Sequence, residues 1–410
     1  MTRDQPPGER RGGRQGHRAV KQRWPMLGAA DRAAVARVLD RGVLSGAGAP
    51  EMKALEAEFA ELVGAGHCLA TNSGTAALHI ALAAVGLGRG DEVIVPAFSF
   101  IATAQAVLHE GATPVFADVD PTTFNIDVED AARRVTSRTR AIVPVHLHGL
   151  PADMDEVNAL AREHGLVVIE DAAQAHGATY RGRPVGTLGT MAAFSLNSTK
   201  NFPAGEGGLF VTNDERLHGL AARVRFDGLD TPSKWDPARP LDDEADSLAQ
   251  SRGWMYLPGE LTSALARAQL PRLAETTARA QRNGARLTER LRSLRAVETP
   301  IVPPDRTHVF HKYRVRLDSR RAGSSLAPSL VRDRLLEALR AEGVEAVLWQ
   351  ERALPHHPLF ASPEPYPNAT AALDGSIVIG SQSYPLFAQP LEVIDAWADA
   401  FEKVWTNLRF

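Results

Sequence analysis

The chain has 410 residues, 44% of them hydrophobic and 23% charged, with a formal net charge of -3. This is an ordinary globular profile, long enough for two or three domains, and its mild acidity argues against a dedicated nucleic-acid binder. A lone cysteine, Cys68, excludes an intrachain disulfide framework and points to a reducing, cytoplasmic compartment, and no apolar run is long enough to span a membrane.

Seven basic residues against Asp4 and Glu9 give residues 1–23 a charge of about +5. The segment is rich in Gly, Pro and Arg, has no apolar periodicity, and lacks the apolar core of a secretory signal, so a disordered basic tail is expected. From Pro25 the pattern becomes that of a folded chain. DRAAVARVLDRG places Val35, Val38 and Leu39 on one helical face, with Gly42 as a stop. A Gly-rich loop leads to a second amphipathic helix carrying Met52, Leu55, Phe59 and Leu62. Seven short apolar runs then alternate with helical segments, from CLAT, EVIVP and TPVFA through AIVPV and LVVIE to MAAFSL and GLFVT. Apolar runs without clean alternation, separated by helices, predict an α/β three-layer domain around a mostly parallel seven-stranded sheet. Residues 226–253, with scattered Pro and an acidic cluster, read as a long surface excursion. A long helical signal follows from Glu260 to about Leu294. HKYRVRL (strand), SLVRDRLLEALRAEG (helix), VEAVLW (strand) and a terminal helix from about Leu391 complete a smaller α+β unit. The expected division is a large domain at 24–258 and a small C-terminal domain at 259–410.

Four stretches carry candidate chemistry. Ser73, Gly74 and Thr75 stand between a strand and a helix start, where free backbone N–H groups and the helix dipole favour an anion such as phosphate. Ser73 is equally suited to cap that helix. Phe98 and Phe100 follow a strand, and either could lie flat on a planar ligand. Asp171 ends the apolar strand LVVIE, where a buried carboxylate needs a cationic partner such as a protonated ring nitrogen; opening a short helix is the alternative. Gln174 could donate to a ring oxygen. Finally, in FSLNSTKNFPAGEGG, Ser195 ends a strand and Lys200 follows. An amine in a partly dry site has a lowered pKa and is a nucleophile toward aldehydes. Phosphate anchor, aromatic lid, ring-nitrogen carboxylate and imine-forming lysine are together what pyridoxal phosphate requires. No metal ligand set is expected.

With these motifs in order, and with VLSGAGAPEMKALEAEFA, GATPVFADVDPTTFNID and PVHLHGLPADMD at the matching places, the chain resembles the DegT/DnrJ/EryC1/StrS family of pyridoxal-phosphate aminotransferases. The resemblance runs from Pro25 to Trp405 and implies the aspartate-aminotransferase fold, type I. It implies that Lys200 is the Schiff-base lysine and proton shuttle, and that Asp171 faces the pyridine nitrogen. It further implies that Gln174 meets the ring hydroxyl, that Gly74, Thr75 and Ser195 hold the phosphate, and that Phe100 stacks on the ring. A homodimer with sites at the subunit interface is implied, as is ping-pong transfer from glutamate or glutamine to a keto-sugar or cyclic ketone. Relatives that dehydrate sugars replace the lysine by histidine, and Lys200 places this chain apart from them.

One stretch departs from the family pattern. Where many relatives have a GYNYR-like sequence reaching the partner subunit, this chain has Gly253-Trp254-Met255-Tyr256-Leu257. Met255 and Leu257 supply neither charge nor side-chain hydrogen bonds, so the expected change is in the acceptor pocket. His311, in HVFHKY, is a candidate substrate contact beside a purely structural reading. Three readings follow: an amino-sugar aminotransferase of antibiotic or glycan biosynthesis, an aminotransferase for a cyclitol or other carbocyclic ketone, or a cofactor-binding regulator without turnover.

Overall fold

The computed structural model describes residues 19–229 and 249–408. Residues 1–18 of the expected tail and most of the expected excursion lie outside the described residues. In chain order the first elements are α1 (Ala29–Arg41), α2 (Pro50–Val63), β1 (His67–Thr71), α3 (Gly74–Val85), β2 (Glu92–Pro96), α4 (Ala102–His109) and β3 (Thr113–Ala117). Next come α5 (Val128–Arg133), β4 (Thr139–Ile142), α6 (Met154–His164), β5 (Val167–Asp171), a small hairpin β6 (Thr179–Tyr180) and β7 (Arg183–Pro184), β8 (Met191–Ser195), β9 (Gly208–Thr212) and α7 (Glu215–Arg225). The chain ends with α8 (Glu260–Gln269), α9 (Leu273–Leu291), β10 (Val297–Glu298), β11 (Tyr313–Leu317), α10 (Pro328–Ala341), β12 (Ala346–Val347), α11 (Pro367–Asp374), β13 (Ser376–Ile379) and α12 (Leu391–Asn407).

Seven strands form one sheet in the order β1-β9-β8-β5-β4-β2-β3. The five strands from β3 to β8 run parallel, and β9 is antiparallel to both its neighbours. Strands β2, β8 and β9 are buried throughout, which is why they read as unbroken apolar runs. Met52, Phe59, Ile94, Ile142, Val168 and Phe194 pack on one face; Ile80, Val93, Val95, Ile169 and Phe210 pack on the other. This is the mostly parallel three-layer α/β arrangement that the sequence pattern predicts. The C-terminal part folds as a four-stranded antiparallel sheet, β10-β11-β13-β12, with α9, α10 and α12 around a core that includes Leu287, Tyr313, Leu335, Ile377 and Phe401.

Several local expectations are corrected. The buried stripe of α1 is Asp31, Ala34 and Val38, and Leu39 is exposed. In α2 the stripe closes on Val63 instead of Leu62, the position four after Phe59 that continues the helical face. The long helical signal after Glu260 is two helices, because Pro271 has no N–H to continue the ladder and the chain turns through 3-10 geometry at Leu270–Arg272. Helix α8 packs against α1 and α2. Its Glu260 accepts from the Glu51 and Met52 N–H groups at 2.9 and 2.8 Å, and so caps α2, whose own N-cap residue Ala49 offers no side-chain bond.

The residues just before Pro25 are tied down. Lys21 pairs with Glu345, and Gln22 exchanges two hydrogen bonds with the Gln389 side chain at 2.9 and 2.8 Å. Trp24 packs edge-on against Phe387 with ring centroids 4.9 Å apart, inside the C-terminal core. Composition does not foretell these contacts, because the partners lie at the other end of the chain.

Candidate active site

The carboxyl ends of the parallel strands open into a cavity of about 470 Å³, where ligands collect in such sheets. Ser73, Gly74, Thr75, Phe100, Asp171, Gln174, Ser195, Lys200 and His311 all line it. Met255 does not. It is 54% exposed and bridges to Phe226 through its backbone.

The β1–α3 turn is packed tightly against the end of β8 and the start of β9. The Ser73 hydroxyl caps α3 by accepting from the Ala76 N–H at 3.1 Å, which leaves its own proton to give. A Cβ on Gly74 would meet the Ser195 Cβ at 2.8 Å. The glycine is therefore required where β8 ends against the helix start, and this close approach is what sets Ser195 beside the turn. Gly208 is tighter still: a Cβ there would lie 2.3 Å from the Ser73 carbonyl oxygen and 2.7 Å from the Gly74 nitrogen. We expect Gly208→Ala to push the turn outward and lower stability by about 1–3 kcal/mol, with weaker anion binding. Urea denaturation and phosphate titration check this, and unchanged values for both would refute the packing account.

Asp171 is buried at the end of β5. Thr103 donates to its Oδ2 at 2.7 Å, Ser99 and Thr103 share a hydrogen bond at 2.9 Å, and the Ala173 N–H reaches Oδ1 at 3.2 Å. No helix opens here, so the capping alternative fails. Burial pushes the Asp171 carboxyl above the usual carboxylate range, and Thr103, Ala173 and Lys200 only partly oppose it. The adjacent Glu170 faces away and is absorbed by structure. It accepts from the N–H groups of Gly186, Leu188 and Gly189 at 2.9, 2.7 and 2.7 Å and contacts His146 Nε2 at 2.9 Å. The Gln174 Oε1 accepts from the His148 N–H at 2.8 Å, which orients its amide NH2 toward the cavity it lines.

Lys200 lies in the loop between β8 and β9, which is stapled from several sides. Its own N–H donates to the Asn197 carbonyl at 2.9 Å, Ser198 N–H to Gly205 at 2.7 Å, and Ala204 N–H to Leu196 at 2.7 Å. The Trp24 indole donates to the Lys200 carbonyl at 3.1 Å, and Asn201 Nδ2 donates to Val309 at 2.9 Å. Burial holds the Lys200 amine down to about 8, and Asp171 and Glu206 only partly restore it. No salt bridge joins Lys200 to Asp171 among the described residues, so the cavity lies between a lysine and a carboxyl that are each pushed toward neutrality. A ligand with a cationic ring nitrogen and an aldehyde relieves both, and the residues present fit pyridoxal phosphate.

The two candidate aromatics separate. Phe98 is 1% exposed and belongs to the core, whereas Phe100 is 51% exposed and faces the cavity. His311 is buried, pairs with Asn201 Oδ1 at 3.2 Å, and is held neutral by burial and by the nearby Lys200. Trp254 and Tyr256 anchor the divergent stretch on α3. Tyr256 OH meets His79 Nδ1 at 2.9 Å, His79 Nε2 meets Glu110 at 2.6 Å, and Trp254 packs edge-on to His79 at 4.4 Å. Alternation turns Met255 outward, and Leu257 packs partly on the core. Thr103, Trp24, Lys312, Trp349 and Gln382 are site residues that the sequence reading missed. Thr103, three residues after Phe100, had a signal in its placement on the helix following β2, and Lys312 stands beside His311 in HVFHKY; the others had none.

The DegT/DnrJ/EryC1/StrS aminotransferase family model matches residues 25–386. GDP-perosamine synthase of Caulobacter vibrioides is 41% identical over 293 residues, covering 71% of this chain and 74% of that protein. The structure of the aminotransferase from Psychrobacter cryohalolentis superposes with a TM-score of 0.87 at 31% identity, covering 95% of this chain and 99% of that one. The structure of 3-amino-5-hydroxybenzoic acid synthase gives 0.84 at 30% identity, covering 95% and 100%. The shared backbone is fold type I of the pyridoxal-phosphate-dependent aminotransferases. Similar along most of its length in sequence and in backbone, the chain belongs to the DegT/DnrJ/EryC1/StrS aminotransferase family and is an aminotransferase.

Proposed function

We propose that this enzyme carries pyridoxal phosphate on Lys200 and moves an amino group from glutamate or glutamine to a keto-sugar, nucleotide-linked, in amino-sugar or antibiotic biosynthesis. The observation that carries the reading is the cavity lined by a half-buried Lys200 and a buried Asp171 with no salt bridge between them. When bound, the cofactor supplies an aldehyde and an electron-withdrawing ring. Asp171 would hold the proton on the ring nitrogen, its carboxylate fixed by Thr103 and, through it, Ser99. The Gln174 amide would donate to the ring hydroxyl, and Phe100 would cover the ring face. Ser73, Gly74, Thr75 and Ser195 would bind the phosphate at the α3 N-terminus, and His311 would contact substrate. The Lys200 amine would be the base that takes the proton from the donor's Cα and the acid that gives one to the acceptor carbon in the second half-reaction.

A homodimer and a cytoplasmic setting are part of this reading. The exposed apolar residues Leu44, Phe100 and Met255 support the first. The buried, free Cys68 supports the second. No helix among the described residues is long and apolar enough to cross a membrane. The similarity to GDP-perosamine synthase supports a nucleotide-linked acceptor. One observation favours a carbocyclic ketone of the cyclitol type instead: Met255 stands exposed and uncharged in the stretch that would face a partner's site. A half-reaction screen decides. The enzyme is first converted to its aminated form with glutamate or glutamine, and the keto compound that restores the starting absorbance is then identified. We expect a nucleotide-linked keto-sugar to do so; recovery with an inosose alone would establish the carbocyclic reading, and no response to either amino acid would reject both.

A further inference from the structure

Lys312 sits immediately before β11 and is only 6% exposed, yet it lines the same cavity as Lys200. A buried ammonium is costly unless a counter-charge or hydrogen bonds compensate. Among the described residues its side chain has no salt bridge, no hydrogen bond and no aromatic face. The charged groups that bear on it are Lys200 and Arg314, both cations, and burial followed by these two holds its amine down to about 8.

The contrast with Arg314, two residues on, is informative. Arg314 is also buried, but it is fully employed: it donates to His148 Nε2 at 2.9 Å, Ser376 Oγ at 2.6 Å and the Trp349 carbonyl at 2.7 Å, and lies over the Phe98 ring at 5.0 Å. Arg314 holds the fold together, whereas Lys312 has its polar end left over. Its location then selects the anion. The Lys312 N–H donates to the His148 carbonyl at 3.3 Å, and the His148 N–H donates to Gln174 at 2.8 Å. Lys312 therefore stands on the Gln174 side of the cavity, whereas the phosphate turn is built from the β1–α3 junction and the end of β8. A single unpaired amine opening onto the cavity suits a compact anion such as a carboxylate.

We infer that Lys312 is the carboxylate-binding residue of this cavity: it receives a carboxylate of the amino donor and so presents the donor's amino nitrogen to the cofactor beside Lys200. This rests on the reading of Lys200 and Gln174 as cofactor residues. The direct test compares the cofactor-loaded wild type with Lys312→Met and Lys312→Arg. Calorimetry measures binding of glutarate, a dicarboxylate that cannot react, and of uridine diphosphate. The expected result is glutarate binding weakened about ten- to hundredfold in Lys312→Met, largely restored in Lys312→Arg, and unchanged uridine diphosphate binding. Unchanged glutarate binding in Lys312→Met would overturn the inference. So would selective loss of uridine diphosphate binding, which would make Lys312 a reader of the acceptor's phosphate. Equal loss of both ligands with a lowered melting temperature would also overturn it, in favour of a structural role. Absorbance of the bound cofactor on the same samples separates the two levels: a coloured wild type with unaffected glutarate binding rejects Lys312 alone, and a colourless wild type rejects the cofactor reading beneath it.

Discussion

Replacing Asp171 by Ala is expected to lower kcat by about a hundred- to ten-thousandfold while the protein remains folded. In the proposed complex a buried carboxylate faces a buried cationic ring nitrogen, and removing one partner leaves the other charge uncompensated. The ring then loses its proton and withdraws electrons poorly. Stability should move differently. Burial raises the Asp171 pKa, so in the ligand-free protein its ionised form is disfavoured. A carboxyl with a raised folded pKa favours the folded state below its unfolded value and loses that contribution as pH rises through the folded pKa. Near neutral pH, ligand-free Asp171→Asn should therefore be at least as stable as wild type, with the difference shrinking as acid protonates the carboxyl. Thermal melts against pH, set beside turnover, measure both effects. Near-normal turnover, or a collapse of stability near neutrality, would reject the role assigned to Asp171.

Replacing Lys200 by Ala should remove essentially all turnover, a loss of about 10⁴-fold or more, because both covalent attachment and the proton transfer depend on its amine. The residue's environment adds a pH signature. Burial brings the Lys200 amine down to about 8, and only the neutral amine attacks an aldehyde. In the ligand-free protein, cofactor attachment should accelerate as pH rises through about 8 and level off above it. A rate that is flat across that interval, or still climbing steeply toward the range of an ordinary lysine, would contradict the lowered basicity of this amine.

Much of this site was legible in sequence because each strand delivers its chemistry at its carboxyl end. A buried strand reads as an apolar run, and the residues that end it, such as Asp171 and Ser195, fall where a parallel sheet opens. What was not legible depends on long-range proximity. Gly74 looked like a phosphate glycine and is also a packing glycine, because the end of β8 leaves no room for a Cβ. The α8–α9 helix read as one because a single proline interrupts a pattern that is otherwise periodic on both sides. Trp24 appeared as the residue before the folded chain and proves to hold the Lys200 carbonyl. The role of Lys312 was invisible for the opposite reason: what marks the residue is the lack of an anion around it, which no local pattern can express.

The central claim is that Lys200 is the residue that carries the cofactor, and chemical trapping tests it directly. The purified protein is incubated with pyridoxal phosphate, reduced with borohydride, digested and mapped by mass spectrometry. The account predicts a yellow protein whose colour is lost on reduction, with the reduced cofactor fixed on the peptide containing Lys200 and on no other. A protein that stays colourless, or a label on Lys312 or any other lysine, would contradict it.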